Sequence, residues 1–153
     1  MSRLKPIVKQ INADLPIDFA WMMWTTNTGL KSFMAPDCDV ELKLFGKYEI
    51  YFLLDREYGQ RGSEGCKILS FVPREMLSFT WNAPPQFLEI RESGEHTYVV
   101  MNFEEISKGR TKITLRHFGW GEGEEWEEVH EYFDHAWSKV FEWMDRAIQS
   151  GSE

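Results

Sequence analysis

From Trp126 to Ile148 the residues Trp126, Val129, Phe133, Trp137, Val140, Met144 and Ile148 recur at steps of 3, 4, 4, 3, 4 and 4. That spacing keeps all seven on one face of an α-helix of about six turns. A stripe so long and bulky must lie across a second apolar surface, so the rest of the chain has to supply one. Five glutamates (Glu122, Glu124, Glu125, Glu127 and Glu128) fall just before the stripe or in its first turn, where carboxylates favour a helix N-terminus.

The same helix carries VHEYFDHAW, residues 129–137, with two histidines, a glutamate and an aspartate. A zinc-binding helix needs His at i and i+4 on one face. Here Asp134 stands where the second histidine should be, and His135 lies one place further on. At about 100° per residue, His130 and His135 point to opposite sides. No metal site is expected. His130 falls at the edge of the stripe, and Glu131 and His135 on the solvated back.

The second surface is legible upstream. Residues 3–11 read as a strand. Asp14 and Pro16 then open a helix running to about Thr25, with Asp14 as its cap, and a short helical piece over about 27–34 ends at Ala35-Pro36. Period-two runs follow at about 39–45, 46–54, 65–72, 76–82, 96–105 and 110–119, separated by Gly, Pro and Asn. Residues 149–153 read as a frayed tail. Tyr48, Ile50 and Phe52 share a strand face, as do Leu77, Phe79 and Trp81, then Val99, Met101 and Phe103, then Ile113, Leu115 and His117. These faces are expected to look at the helix. The pattern predicts an α+β fold, an antiparallel meander wrapped around a terminal helix. In such a meander Trp81 and His117 end at the same sheet edge, where the helix begins. Trp81, His117, Trp120, Trp126 and His130 are therefore expected to converge around one mouth.

At 153 residues the chain reads as one domain, 1–153, able to bury roughly two thirds of its unfolded surface. Its 11 Phe, 7 Trp and 5 Tyr supply large flat side chains that fill a core or line a hollow one. A net charge of −8 with no basic run argues against nucleic acid and anionic membranes as partners. The longest apolar run, Phe19 to Trp24, is too short to cross a bilayer, and MSRLKPIVKQ lacks the apolar core of a signal peptide. Cys38 and Cys66 form no CxxC and are expected as free thiols in a reducing cytoplasm. Gly119–Gly123 is G-x-G-x-G, outside any βαβ unit, and there is no G-x-S-x-G, so no cofactor and no nucleophile motif is indicated.

LPIDFAWMMWTTNTGLKSFMAP, FGKYEI, GCKILSFVPREMLSFTW and TKITLRHFGW, followed by a terminal helix with W-S-K-V-F, resemble the activator of heat-shock-protein-90 ATPase homologue family. That family belongs to the START/birch-pollen-allergen-like superfamily, also called SRPBCC. The resemblance covers roughly residues 5–148, and VPREMLSFTW and TLRHFGW are its strongest pieces. It implies a helix-grip fold: a curved antiparallel sheet around a long C-terminal helix, with two short helices after the first strand closing one end. It also implies an apolar cavity between sheet and helix. Relatives often have paired glycines where this chain has Phe45-Gly46. The co-chaperone that names the family carries an additional N-terminal domain for which these 153 residues have no room. No catalytic residue set is shared across the family.

Three functions follow. The first is a binding module for an apolar or aromatic small molecule, lined by Tyr48, Phe52, Trp81, Met101, Phe103, His117, Trp120, His130, Phe133 and Trp137. The second is an enzyme of the polyketide cyclase/aromatase sort, with His117 as acid/base. The third is a stress-response protein that contacts a chaperone or pairs with a second copy of itself. An inward histidine is ordinarily a hydrogen-bonded structural one; its functional counterpart is a polar anchor for a ligand carbonyl or hydroxyl.

Overall fold

The computed structural model describes residues 3–151. In chain order its elements are β1 (Ile7–Ala13), α1 (Ile17–Thr25), α2 (Asn27–Lys31), β2 (Asp37–Val40), β3 (Tyr48–Tyr51), β4 (Ile68–Val72), β5 (Met76–Trp81), α3 (Leu88–Ser93), β6 (Thr97–Ser107), β7 (Arg110–Phe118) and α4 (Glu124–Gly151). Five strands form an antiparallel sheet in the order β1-β7-β6-β5-β4, and β2 pairs with β3. Bridges Lys47 to Lys67 and Tyr51 to Gly62, with Tyr48 N–H donating to Cys66 O at 2.9 Å, run the hairpin on beside β4. A register shift between Ile68 and Ser70 marks an irregularity in the β4–β5 ladder, the kind of feature that lets a sheet curl. This is the α+β helix-grip architecture that pattern and resemblance imply.

The α4 stripe does what its period requires. Trp126, Val129, Phe133, Trp137, Val140 and Met144 are buried against the inward strand faces, and only Ile148 is partly open. Burying each such side chain stabilises by roughly 1.5–3 kcal/mol, so α4 is held mainly by what it covers.

Several sequence boundaries shift. The first strand begins at Ile7, because its ladder to β7 starts at the Ile7–His117 pair. Asp14 does not cap α1: Pro16 takes the N-cap position without a side-chain bond, while exposed Asp14 pairs with Arg110 Nε at 3.0 Å. β3 stops at Tyr51, where the chain leaves for a long loop tied down by Glu64. Gln149 to Gly151 continue the helix; residues 152 and 153 of the expected tail lie outside the described residues. The α3 helix, not expected from the sequence, is a short piece closed by Gly94 at φ 79°, the left-handed cap geometry that glycine adopts freely. Gly29 is needed where α2 meets α1, since a Cβ there would come within 2.2 Å of Met22 O.

Candidate functional site

Register brings the chemistry-bearing residues to one edge. Trp81 pairs with Thr97, and Val99 with His117. His117 is fully buried and satisfied at both ring nitrogens: Nδ1 accepts from Trp137 Nε1 at 2.9 Å, and Nε2 lies 2.6 Å from Thr97 Oγ1. Because Trp137 can only donate, the ring proton sits on Nε2 and is given to Thr97, whose hydroxyl reaches Trp81 O at 3.4 Å. Burial, with His130 adding a smaller push, lowers the His117 pKa from 6.5 to about 3. Trp120 covers the imidazole, ring centres 4.3 Å apart, and donates to His117 O at 3.1 Å. His130 packs edge-on against Trp120 and donates from Nε2 to Lys5 O at 2.8 Å. The expected mouth therefore closes as a packed cluster. Gly121 lets Trp126 into it, since a Cβ there would fall 2.2 Å from the indole nitrogen.

The open space lies further along α4. A groove of about 390 Å³ runs between α4 and the ends of β3 and β5. Phe52, Trp81, Phe133 and Trp137 form its floor, with Trp81 and Trp137 ring centres 5.3 Å apart, and Ala136 and Val140 extend the apolar wall. Tyr132 and Trp143 stand at its borders, 41% and 37% exposed, and His135 and Lys139 sit on the rim. A smaller arm of about 130 Å³ shares Phe52, Trp81, Tyr132 and Phe133 and continues past Leu53, Arg61, Pro84 and Gln86. The walls of that arm are held by a buried ion pair. Glu64 accepts from the backbone N–H groups of Gly59, Arg61 (2.8 Å) and Gly62 (2.6 Å), and from Arg91 Nη2 at 3.1 Å. Arg91 in turn donates to Ala83 O and Gly59 O, 2.7 Å each. Burial raises the Glu64 carboxyl pKa, but the backbone N–H donors outweigh it and leave the pKa lowered.

A larger hollow of about 690 Å³ lies between α1, α2 and the end of α4. It is a wide surface trough with Asp14, Arg146 and Ser150 on its walls, whereas the 390 Å³ groove is deeper and almost wholly apolar. Small-molecule sites are mostly apolar with few polar groups, which favours the smaller space.

Of the ten residues singled out from sequence, Phe52, Trp81, Phe133 and Trp137 meet at the groove. Tyr48 lies in the core, stacked on Phe79 and donating from its hydroxyl to Trp24 O at 2.7 Å. Met101 and Phe103 are core, and His117, Trp120 and His130 belong to the closed cluster. His135, read as lying on the solvated back, is exposed but borders the groove. Sequence reasoning passed over Tyr132, Ala136, Lys139 and Trp143, although their steps of 4, 3 and 4 trace a second face beside the core stripe. Among the described residues no three His, Cys, Asp or Glu side chains cluster as metal ligands do. No helix there is long and apolar enough to cross a membrane.

A family model described as activator of Hsp90 ATPase homolog 1-like protein matches residues 14–149. The chain belongs to that family. No curated protein gives a significant match. Solved structures similar to this chain include protein MLL2253 from Mesorhizobium loti, with a TM-score of 0.74 and 16% identity over 95% of this chain and 98% of that one. The Aha1 dimer from Colwellia psychrerythraea gives 0.70 and 18% over 98% and 100%. Protein BH1534 from Bacillus halodurans gives 0.71 and 22% over 97% and 99%. At these identities the likeness speaks for the fold.

Proposed function

We propose that the chain is a binding module that holds an apolar or aromatic small molecule in the groove between α4 and the ends of β3 and β5. The observation that carries this reading is the 390 Å³ space floored by Phe52, Trp81, Phe133 and Trp137, a size within the range of about 300–1,000 Å³ for ligand pockets. The cyclase-like alternative draws little support. His117 does not border the groove, both its nitrogens are engaged, and burial keeps it neutral. Cys38 and Cys66 are buried free thiols, and burial pushes Cys66 up to about 12, far from a reactive thiolate. That chemistry suits a reducing compartment such as the cytoplasm. The test is titration with 1-aminoanthracene, a neutral aromatic probe whose fluorescence rises in apolar sites, alongside mass spectrometry of whatever co-purifies. Saturable binding weakened by Trp81→Ala is the expected result; no binding and no co-purifying small molecule would overturn the reading.

A second reading is favoured by one observation. Phe19 and Met22 of α1 are 55% and 42% exposed beside the 690 Å³ trough, which Trp143 also borders. An exposed apolar cluster of this kind suits a protein partner, either a chaperone of the Hsp90 class or a second copy, as in the Colwellia dimer. Light scattering and a chaperone ATPase assay, each with wild type and Phe19→Ser, test it; identical behaviour of the two proteins in both would remove it.

A further inference from the structure

The groove's charges are as informative as its rings. The chain carries 25 Asp and Glu against 17 Lys and Arg, yet no acidic residue lines the groove or its arm. The charged side chains that do are Lys139 on the rim and Arg61 in the arm, with His135 one helical turn before Lys139. His135 and Lys139 are at i and i+4, so both project along the same side of α4 toward the opening. Asp134, next to His135, is paired with Lys9 at 3.0 Å, and Glu131 and Glu142 are exposed; none of the three is paired with His135 or Lys139, which have no hydrogen bond or ion pair among the described residues. The Arg61 guanidinium, by contrast, is tethered to Arg56 O at 2.7 Å. An apolar slot in an acidic protein thus opens under two exposed donors without a protein partner among the described residues.

We propose that the groove takes a planar aromatic carboxylate, its rings laid against Trp81, Phe133 and Trp137 and its carboxylate held at the rim by Lys139 and His135. The proposal rests on the small-molecule reading above and names the ligand class. Flat rings prefer offset or edge contacts with other flat rings, and the floor is built from them. The Lys139 ammonium, unpaired among the described residues, supplies the charge complement that an anion needs and a neutral hydrocarbon does not. Acidic walls elsewhere would repel the same anion, so the ligand is directed to this opening.

The test compares 2-naphthoate, 2-naphthalenemethanol and decanoate by calorimetry at pH 7.5, on wild type and on Lys139→Gln, at low and high salt. In wild type at low salt, 2-naphthoate is expected to bind about three- to tenfold tighter than the alcohol, the scale of a rim ion pair, and tighter than decanoate. Lys139→Gln and high salt should each shrink that preference. Equal binding of acid and alcohol, or a preference untouched by Lys139→Gln, overturns the carboxylate assignment; decanoate binding as tightly as 2-naphthoate overturns the aromatic one. Failure of all three ligands with 1-aminoanthracene still bound overturns the proposal alone, whereas failure of 1-aminoanthracene as well removes the groove reading with it.

Discussion

The Trp137 indole donates to His117 Nδ1 at 2.9 Å and so ties the middle of α4 to β7, the strand that precedes it. The bond also decides the tautomer and leaves the imidazole with no room for a second proton. Because burial lowers the His117 pKa from 6.5 to about 3, the unfolded chain takes up a proton between those values and the folded chain does not. Stability contributed by neutral His117 is complete above about pH 6.5 and is lost as pH falls, at up to about 1.4 kcal/mol per pH unit. Urea unfolding at pH 7.5 and at pH 5 should show this loss in wild type, and a clearly smaller one in His117→Gln. Equal slopes would mean that His117 titrates normally.

Trp81 is 4% exposed, packed against Phe79 and Trp137, with its remaining side toward the groove. Truncating a fully enclosed large aromatic costs about 3–5 kcal/mol, largely through the cavity it leaves. Trp81→Ala merges with space already open, so a loss of about 2–3 kcal/mol in denaturant midpoint measurements is expected. A loss at or above 5 kcal/mol would mean that the groove does not reach the ring.

What could be read in the chain beforehand was what local periodicity writes down. The α4 stripe, the alternating strand faces and the convergence of Trp81 with His117 at one edge all follow from steps of two, three and four. The position of the open space does not. It depends on which flank of α4 the sheet leaves uncovered, and Tyr132 and Trp143 look like ordinary surface aromatics until β3 is seen to end at Tyr51. The Glu64–Arg91 pair was equally hidden, since its members lie 27 positions apart with two strands, β4 and β5, between them.

That pair shapes the arm of the groove. Glu64 and Arg91 side chains are 5% and 7% exposed, and their bond is 3.1 Å. Removing one partner of such a pair leaves a buried charge alone and costs about 3–5 kcal/mol. Glu64 keeps its backbone N–H donors in Arg91→Ala, so the stability loss should fall below that range, and amide exchange should quicken most in residues 59–62, whose N–H groups Glu64 gathers. Unchanged exchange in that loop would show that the loop holds itself without the pair.

Phe45 sits at φ 61°, in the left-handed region, with its ring 68% exposed and its N–H donating to Ile68 O at 2.8 Å. A residue with a Cβ loses roughly 1–2 kcal/mol in that conformation, and the exposed ring recovers little by packing. Gly46 has no such freedom to change, since a Cβ there would meet Glu41 O at 2.2 Å. Phe45→Gly relieves the strain, offset in part by about 0.4–1 kcal/mol of added chain entropy in the unfolded state. The expected net effect is a stabilisation of about 0.5–1 kcal/mol, read as a rise in the urea midpoint with unchanged slope. Phe45→Ala keeps the Cβ and deletes only the ring, so it should show no such rise. If alanine stabilises as much as glycine, the gain comes from removing an exposed aromatic, and the left-handed turn carries no strain.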